Sequence, residues 1–309
     1  MSESPVKIVA LVGPTAIGKT ELSLFLAREL GAEIISMDSM QIYQEMEIGT
    51  AKPTLAERAQ IPHHLVDFVP PDAPYDASDF VRDAGKAIGA IRKRDHLPLL
   101  VGGTGLYLRA LLDGIFTAPE IPADIRKGIR ASLASLGNAT LHAQLAELDP
   151  PSARRIHAND SQRLCRALEI VLATGTPWST FLAREAQERG QGGQAYRAVK
   201  IGLERPRQEL YQRINQRVEI MVEQGLRAEV EGLLAKYSPQ EKALQAIGYR
   251  HMVNFLQGEW AWDECLRLLA RDTRRYAKRQ LTWFGRDPEI SWFHPDDHRA
   301  ILQAIREKL

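Results

Sequence analysis

The segment that most constrains this chain is Gly13-Pro14-Thr15-Ala16-Ile17-Gly18-Lys19-Thr20. It matches G-x-x-x-x-G-K-[ST], and its flanks fit as well as its glycines do. Ahead of it, residues 7–12 (KIVALV) form a short apolar, β-branched run that reads as a buried strand. Behind it, residues 20–30 place Leu22, Phe25, Leu26 and Leu30 on one helical face, closed by Gly31. In a strand–loop–helix of this kind the loop N–H groups and the helix N-terminus converge on phosphate oxygens. Lys19 adds a point charge for the terminal phosphates, and the Thr20 hydroxyl is placed to ligate Mg²⁺.

Further strands are expected at 33–37 (EIISM) and 97–101 (LPLLV), the second preceded by a helix at 79–94. Alternating strands and helices predict a parallel sheet with helices on both faces, a P-loop NTPase-like α/β core. After Asp113 the pattern changes. Residues 123–188 have helical periodicity and no convincing strand, and Gly190-Gln191-Gly192-Gly193-Gln194 has the composition of a flexible linker. Residues 196–203 (YRAVKIGL) read as a strand again, and 207–286 as mostly helical, broken at Ser238-Pro239 and Gly258. The expected organisation is therefore a first part of the core at 1–115, a helical insertion at 116–195, and at 196–309 the continuation of the core with a helical C-terminal region. A length of 309 residues suits two units of ~100–200 residues each.

Composition narrows the class of protein. Forty basic against 39 acidic residues exclude a uniformly basic nucleic-acid coat but not a local basic patch. Two cysteines, Cys165 and Cys265, give neither a disulfide framework nor a metal-ligand spacing, and fit a reducing compartment. No apolar run approaches the ~18 residues a membrane span needs, and the N-terminus lacks the basic start and apolar run of a secretory signal. The expectation is a soluble cytoplasmic protein, with a monomer as the simpler state.

The loop alone leaves its chemistry open. Nucleotide-hydrolysing relatives of this motif hold Mg²⁺ with an aspartate at a neighbouring strand end. Here the strand at 97–101 ends in Gly102-Gly103-Thr104-Gly105, and the only strand-end aspartate nearby is Asp38. Either Asp38 is the metal-linked acid, or the loop holds a phosphate group for different chemistry. Asp38, Ser39 and Gln41 bring an acid, a hydroxyl and an amide to the edge where open α/β sheets bind ligands, although a helix-capping turn would use the same residues. The glycines at 102, 103 and 105 permit close approach of backbone to a ligand, with Thr104 offering a hydroxyl. Adjacent histidines His63 and His64 point in different directions and have no further ligand at metal spacing, so they read as structural. Trp260 and Trp262 read as helix-start packing.

One segment concentrates charge. Arg271, Arg275, Lys278 and Arg279 follow i, i+4, i+7, i+8 and share a helix face, with Arg274 and Arg286 nearby and Asp272 the one acid. Tyr276, Trp283 and Phe284 interleave aromatics among these cations. That combination suits a single-stranded RNA loop, whose backbone takes cations and whose bases stack. A solvated charge run is the plainer reading.

In order along the chain, GPTAIGKT, DSMQIY (38–43), GTAKP (49–53), HHLVD (63–67), VGGTGLYL (101–108), NDSQRLCRALE (159–169), QAIGYR (245–250) and RRYAKRQLTWF (274–284) resemble the bacterial tRNA dimethylallyltransferase family, also called tRNA isopentenyltransferase. The resemblance spans about residues 7–286, departing at Gly285, where the family often has a basic residue; no cysteine pair follows Cys265, as the zinc-binding tail of eukaryotic relatives would require. It implies transfer of a prenyl group from dimethylallyl diphosphate to N6 of adenosine 37 in the tRNA anticodon stem-loop, with Mg²⁺ as cofactor. Asp38 would be the base, Thr104 and Arg217 further active-site groups, and residues 13–20 the diphosphate loop with Thr20 on the metal. tRNA contacts would fall on Asp38, Ser39, Met40, Gln41 and Thr104, on Arg126, Gln162, Arg163, Leu164, Cys165 and Arg166 of the insertion, on Gln245, Gly248, Tyr249 and Arg250, and on Arg275, Tyr276, Lys278, Arg279, Gln280 and Trp283. The rival readings are an adenylate isopentenyltransferase acting on free AMP or ADP, a small-molecule P-loop kinase, and an RNA-binding module with a relic loop.

Overall fold

The computed structural model describes residues 5–114, 120–191 and 195–309. The chain forms two compact units, one of Glu3–Gly114 with Gln194–Leu309 and one of Ile115–Gly193. The first opens with β1 (Val6–Val12), α1 (Lys19–Leu30), β2 (Ala32–Met37), α2 (Leu55–Gln60), β3 (His63–His64), α3 (Ala77–Arg92), β4 (Leu97–Gly102) and α4 (Gly105–Asp113). The second holds α5 (Ala123–Leu148), α6 (Pro150–Arg155), α7 (Ser161–Thr174) and α8 (Trp178–Gln191). The first unit resumes with β5 (Tyr196–Leu203), α9 (Arg207–Glu223), α10 (Leu226–Leu234), α11 (Tyr249–Leu256), α12 (Trp262–Phe284), β6 (Ser291–Phe293) and α13 (His298–Lys308).

The sheet has six parallel strands in the order β3-β2-β4-β1-β5-β6, the P-loop NTPase-like core expected from the sequence. Ile8 to Val12 are fully buried, which explains why β1 is continuously apolar: both of its faces are covered by helices. One face packs Val9, Leu11, Leu99, Ile201 and Leu203 against Leu22 and Leu26 of α1, Leu210 and Ile214 of α9, Ala277 of α12 and Ile301 and Ile305 of α13. β4 lies between β1 and β2, with Gly102 opposite both Val12 and Met37. The phosphate loop, Asp38 and Thr104 therefore leave the same edge of the sheet.

Three elements differ from expectation. β3 and β6 are two and three residues long, too short to carry a legible period, and both are sheet edges. The helix expected at 79–94 begins at Ala77, because Asp76 caps it: its carboxylate accepts from Ser78 N and Asp79 N at 2.7 and 3.1 Å while Asp79 accepts from Asp76 N. Of the linker expected at 190–194, residues 190 and 191 continue α8, and 192–194 lie outside the described residues. The N-terminal tetrapeptide also lies outside them. No described helix is long and apolar enough to cross a membrane.

The insertion unit has its own core of Ile129, Leu141, Leu145, Ile156, Leu164 and Leu168. Fully buried Asp149 ties it together, accepting from Ser152 N at 3.1 Å to cap α6 and from Ser179 N at 2.9 Å to anchor α8.

Glu33 does comparable work in the sheet. Its side chain is 2% exposed, accepts from Arg94 Nε and Nη2 at 2.8 and 2.7 Å, and meets ring nitrogens of His64 and His96 at 2.7 and 2.8 Å. The Arg94 bonds outweigh burial and hold its carboxyl at about 2, below the ordinary 4.5. Replacing Glu33 by Gln removes the counter-charge of half-exposed Arg94 and weakens its two charge-assisted hydrogen bonds, and is expected to lower the melting temperature at pH 7. Because the folded pKa is depressed, that contribution is complete above pH 4.5 and fades as pH falls toward about 2. The gap in melting temperature between wild type and Glu33→Gln should narrow through that window; a gap that stays constant would contradict the assignment.

Candidate active site

The phosphate loop is held from outside. Gly18 at the start of α1 has φ 112°, and Ala16 has φ 64°, a left-handed conformation that a non-glycine residue adopts at some cost. Successive groups of the loop meet partners from distant elements. Thr15 N donates to Gln280 Oε1 at 2.9 Å, Arg213 Nε donates to Ala16 O at 2.9 Å, and Arg205 Nε donates to Ile17 O at 3.2 Å. Arg217 Nη1 donates to Thr15 Oγ1 at 3.4 Å. The Lys19 ammonium donates to Gly13 O and Pro14 O at 3.0 and 2.7 Å. Burial pulls its pKa down to about 8, with the Asp38 charge opposing and Arg217 adding to the fall. Cations crowded around a rigid loop form a seat for a polyanion.

Asp38 follows β2 directly. Its Oδ1 accepts from Met40 N at 2.8 Å and Gln41 N at 3.4 Å, while no bond from the described residues reaches Oδ2. The hydroxyl of Thr104 accepts from Ser39 N at 3.2 Å and also bonds the phenol of Tyr276, whose pKa is raised by burial and by the Asp38 charge. Two cavities meet here. One, about 460 Å³, runs along loop residues 15–20; the other, about 340 Å³, is lined by Ser39, Met40, Met221, Gln245, Gly248 and Thr273. They share Thr15, Asp38, Thr50, Arg217 and Tyr276. A carboxylate with one uncommitted oxygen at such a junction can take a proton from a group in one cavity while charge leaves in the other.

The glycines of the turn after β4 answer to the protein itself. A Cβ at Gly102 would lie 2.0 Å from Met37 O, at Gly103 2.1 Å from Gln280 Nε2, and at Gly105 2.1 Å from the Trp283 ring. The close approach expected for a ligand is made by β2 and α12. Gly49 is likewise excluded from carrying a side chain by the Tyr249 ring, 2.5 Å from an ideal Cβ.

The remaining sequence-selected residues separate into groups. Leu164 and Tyr249 are fully buried and Gln280 is 5% exposed. Leu164 belongs to the insertion core, Tyr249 donates to Glu229 at 2.7 Å, and Gln280 gives both ends of its amide to backbone, so these support the surface expected to meet RNA and do not form it. Gln41 likewise spends its amide on Ser36 and the carbonyls of Thr50 and Ala51. On α12, Arg275, Lys278 and Arg279 are exposed and share with Trp283 and Arg286 a shallow depression of about 500 Å³. Arg279 lies over the Tyr276 ring at 5.7 Å. Asp272 anchors the start of this face, accepting from Arg250 at 2.7 Å and Arg271 at 3.0 Å. Arg274 turns away to Asn215 at 2.7 Å. Arg126, Gln162, Arg163, Cys165 and Arg166 lie in the insertion unit, Arg163 beside Asp160 at 3.5 Å and Arg166 beside Glu169 at 3.3 Å.

Sequence reasoning missed Arg205, Arg213 and Glu229. Arg213 was findable, since it lies one helical turn before Arg217. Glu229 accepts from the amides of Glu47, Ile48 and Gly49 at 3.0, 2.7 and 3.1 Å across the fold, and no local pattern announces it. Among the described residues there is no group of three or more His, Cys, Asp or Glu placed to hold a metal ion. His64 pairs with Glu33, and His63 Nδ1 meets Ile61 O at 2.7 Å. Trp262 packs edge-on against Phe255 at 4.9 Å, in keeping with a packing role.

Residues 41–287 match the family model for IPP transferase, and residues 6–63 that for isopentenyl transferase. tRNA dimethylallyltransferase 2 of Geotalea uraniireducens is 47% identical over 307 residues, covering 99% of this chain and 98% of that protein. The crystal structure of tRNA isopentenylpyrophosphate transferase from Bacillus halodurans superposes with a TM-score of 0.71 at 40% identity, over 98% of this chain and 97% of that one. A eukaryotic dimethylallyltransferase acting on tRNA superposes with a TM-score of 0.76 at 28% identity, over 94% of this chain and 74% of that one. The chain belongs to the tRNA dimethylallyltransferase (IPP transferase) family.

Proposed function

We propose that the protein is a tRNA dimethylallyltransferase that moves the prenyl group of dimethylallyl diphosphate onto N6 of adenosine 37, beside the anticodon, and releases diphosphate. The observation that carries this reading is the Asp38 carboxylate at the junction of a cavity along the phosphate loop and a second, more apolar one. Diphosphate belongs on the loop, with Lys19 and Arg217 facing the oxygens that gain charge as the C1–O bond breaks, and with the Thr104 hydroxyl holding Ser39 and Tyr276 beside them. The flipped adenine belongs in the second cavity, where N6 forms the new bond to C1. An exocyclic adenine amine is a weak nucleophile; Asp38 Oδ2 takes its proton, a contribution of roughly 10²–10⁴-fold.

A magnesium ion fits this donor set only in part. The described residues offer no carboxylate cage, an arrangement compatible with a small cation that keeps its waters and leans on substrate phosphates and one or two protein oxygens. Thr20, exposed at the head of α1 and lining the loop cavity, is the residue that would hold it. When bound, the ion would neutralise charge on the departing diphosphate.

The exposed cations and Trp283 on α12 favour a polymeric acceptor over free AMP, because a mononucleotide has no backbone to engage them. The near-full-length relatives support transfer to tRNA over a kinase or a relic loop. The reading includes a cytoplasmic monomer. Incubating labelled dimethylallyl diphosphate with unmodified tRNA, AMP and ATP in parallel should label tRNA alone; label in AMP, or phosphate released from ATP, would select a rival.

Asp38→Ala should abolish transfer in single turnovers at pH 7 and leave tRNA affinity within a few-fold; a near-normal rate would remove Asp38 from the mechanism. Lys19, with its pKa near 8, is charged below that pH and loses its proton above it. The kcat/KM for dimethylallyl diphosphate should therefore fall above pH 8, and Lys19→Arg should shift that limb upward, as Arg stays charged. An identical alkaline limb in Lys19→Arg would assign it to another group. Changing Arg275 and Arg279 together to Gln should raise KM for tRNA with kcat largely intact. It should also flatten the salt dependence of tRNA binding by ~0.7 for each phosphate that is no longer neutralised. An unchanged slope would return that face to a solvated charge run.

A further inference from the structure

We propose that Gln280 is a positioning residue for the phosphate loop: from α12 it fixes the Thr15 end of the loop and the turn after β4 in one geometry, and affinity for the donor's diphosphate depends on it. This rests on the donor reading above. Gln280 is 5% exposed, accepts from Thr15 N at 2.9 Å and donates to Gly103 O at 3.0 Å. A planar primary amide is suited to this place, because one group must present an acceptor to an N–H and a donor to a C=O. The fit leaves no slack: an ideal Cβ on Gly103 would lie 2.1 Å from Gln280 Nε2 and 3.3 Å from Gly13 O. The start of the loop, the turn carrying Thr104 and the C-terminal part of α12 therefore pack at one point.

The loop cannot set this geometry alone. Ala16 is held at φ 64°, and Arg213 and Arg205 fix the carbonyls of Ala16 and Ile17 from the α9 side. Thr15 N is the loop amide tied to α12, so without Gln280 the clamp is one-sided. Gln280 shares the buried face of α12 with Ala277 and Phe284, while Arg275, Lys278 and Arg279 are exposed. This assigns Gln280 to the donor side of the reaction in place of the RNA contact expected from sequence.

The test is binding of inorganic diphosphate, by calorimetry, to wild type, Gln280→Leu, Gly103→Ala and the double variant, with melting temperature and tRNA stem-loop affinity measured alongside. Gln280→Leu should weaken diphosphate binding about tenfold, the scale of removing one well-formed hydrogen bond. It should raise KM for dimethylallyl diphosphate more than it lowers kcat, with tRNA affinity unchanged. Gly103→Ala, which displaces the same amide from the other side, should act in the same direction. The double variant should be no worse than the more damaging single, since both changes break the same interaction. Full diphosphate affinity in a folded Gln280→Leu, additive losses in the double variant, or a loss confined to tRNA affinity would each overturn the proposal. A wild type that binds no diphosphate would remove the donor reading itself.

Discussion

The pairing of β4 between β1 and β2 is the constraint on which the site depends. Gly102 stands opposite Val12 on one side and Met37 on the other, so the three strands end level. Each strand end then delivers one chemical component: β1 the phosphate loop, β2 Asp38, β4 the turn with Thr104. The register is intolerant of change, because a Cβ at Gly102 would meet Met37 O at 2.0 Å. A slip of one residue would turn every side chain of β4 to the opposite face and carry Thr104 away from the amide of Ser39 that it now accepts from.

On this platform the charges are arranged against their own preferences. Lys19 and Arg217 are drawn toward neutrality by burial and by neighbouring guanidinium groups, and Asp38 opposes that pull on both. The group that serves as base in the proposed reaction thus also tunes the cations that receive the leaving group. Arginines 205 and 213 fix loop carbonyls, and Arg213 lines the loop cavity as well. A rigid seat of this kind acts by preorganisation, since dipoles fixed before the reaction need not reorient as charge develops.

Much of this was legible in the sequence, for identifiable reasons. A loop whose function depends on consecutive backbone groups must be contiguous, so GPTAIGKT announces itself, and a fully covered central strand must be continuously apolar, so β1 does too. The helical insertion showed in its periodicity, and the cationic face of α12 in its spacing. What could not be read was pairing across the fold. Gln280 is a polar residue amid arginines, and only the structure shows that it turns inward to Thr15 and Gly103. The glycines after β4 pointed to close approach but not to what approaches. Glu33 with Arg94, and Glu229 with the turn at 47–49, join residues whose separation leaves no local trace.

In the proposed reaction Asp38 stands where the donor carbon and the acceptor nitrogen meet. A crystal structure with the thiolodiphosphate analogue of dimethylallyl diphosphate and an unmodified anticodon stem-loop tests this most directly. Diphosphate should lie on loop residues 15–20 and adenine in the adjoining cavity. N6 should be within hydrogen-bonding distance of Asp38 Oδ2 and roughly 3–3.5 Å from C1, in line with the bond to sulfur. Diphosphate bound away from the loop, or an adenine whose N6 faces a group other than Asp38, would contradict the assignment.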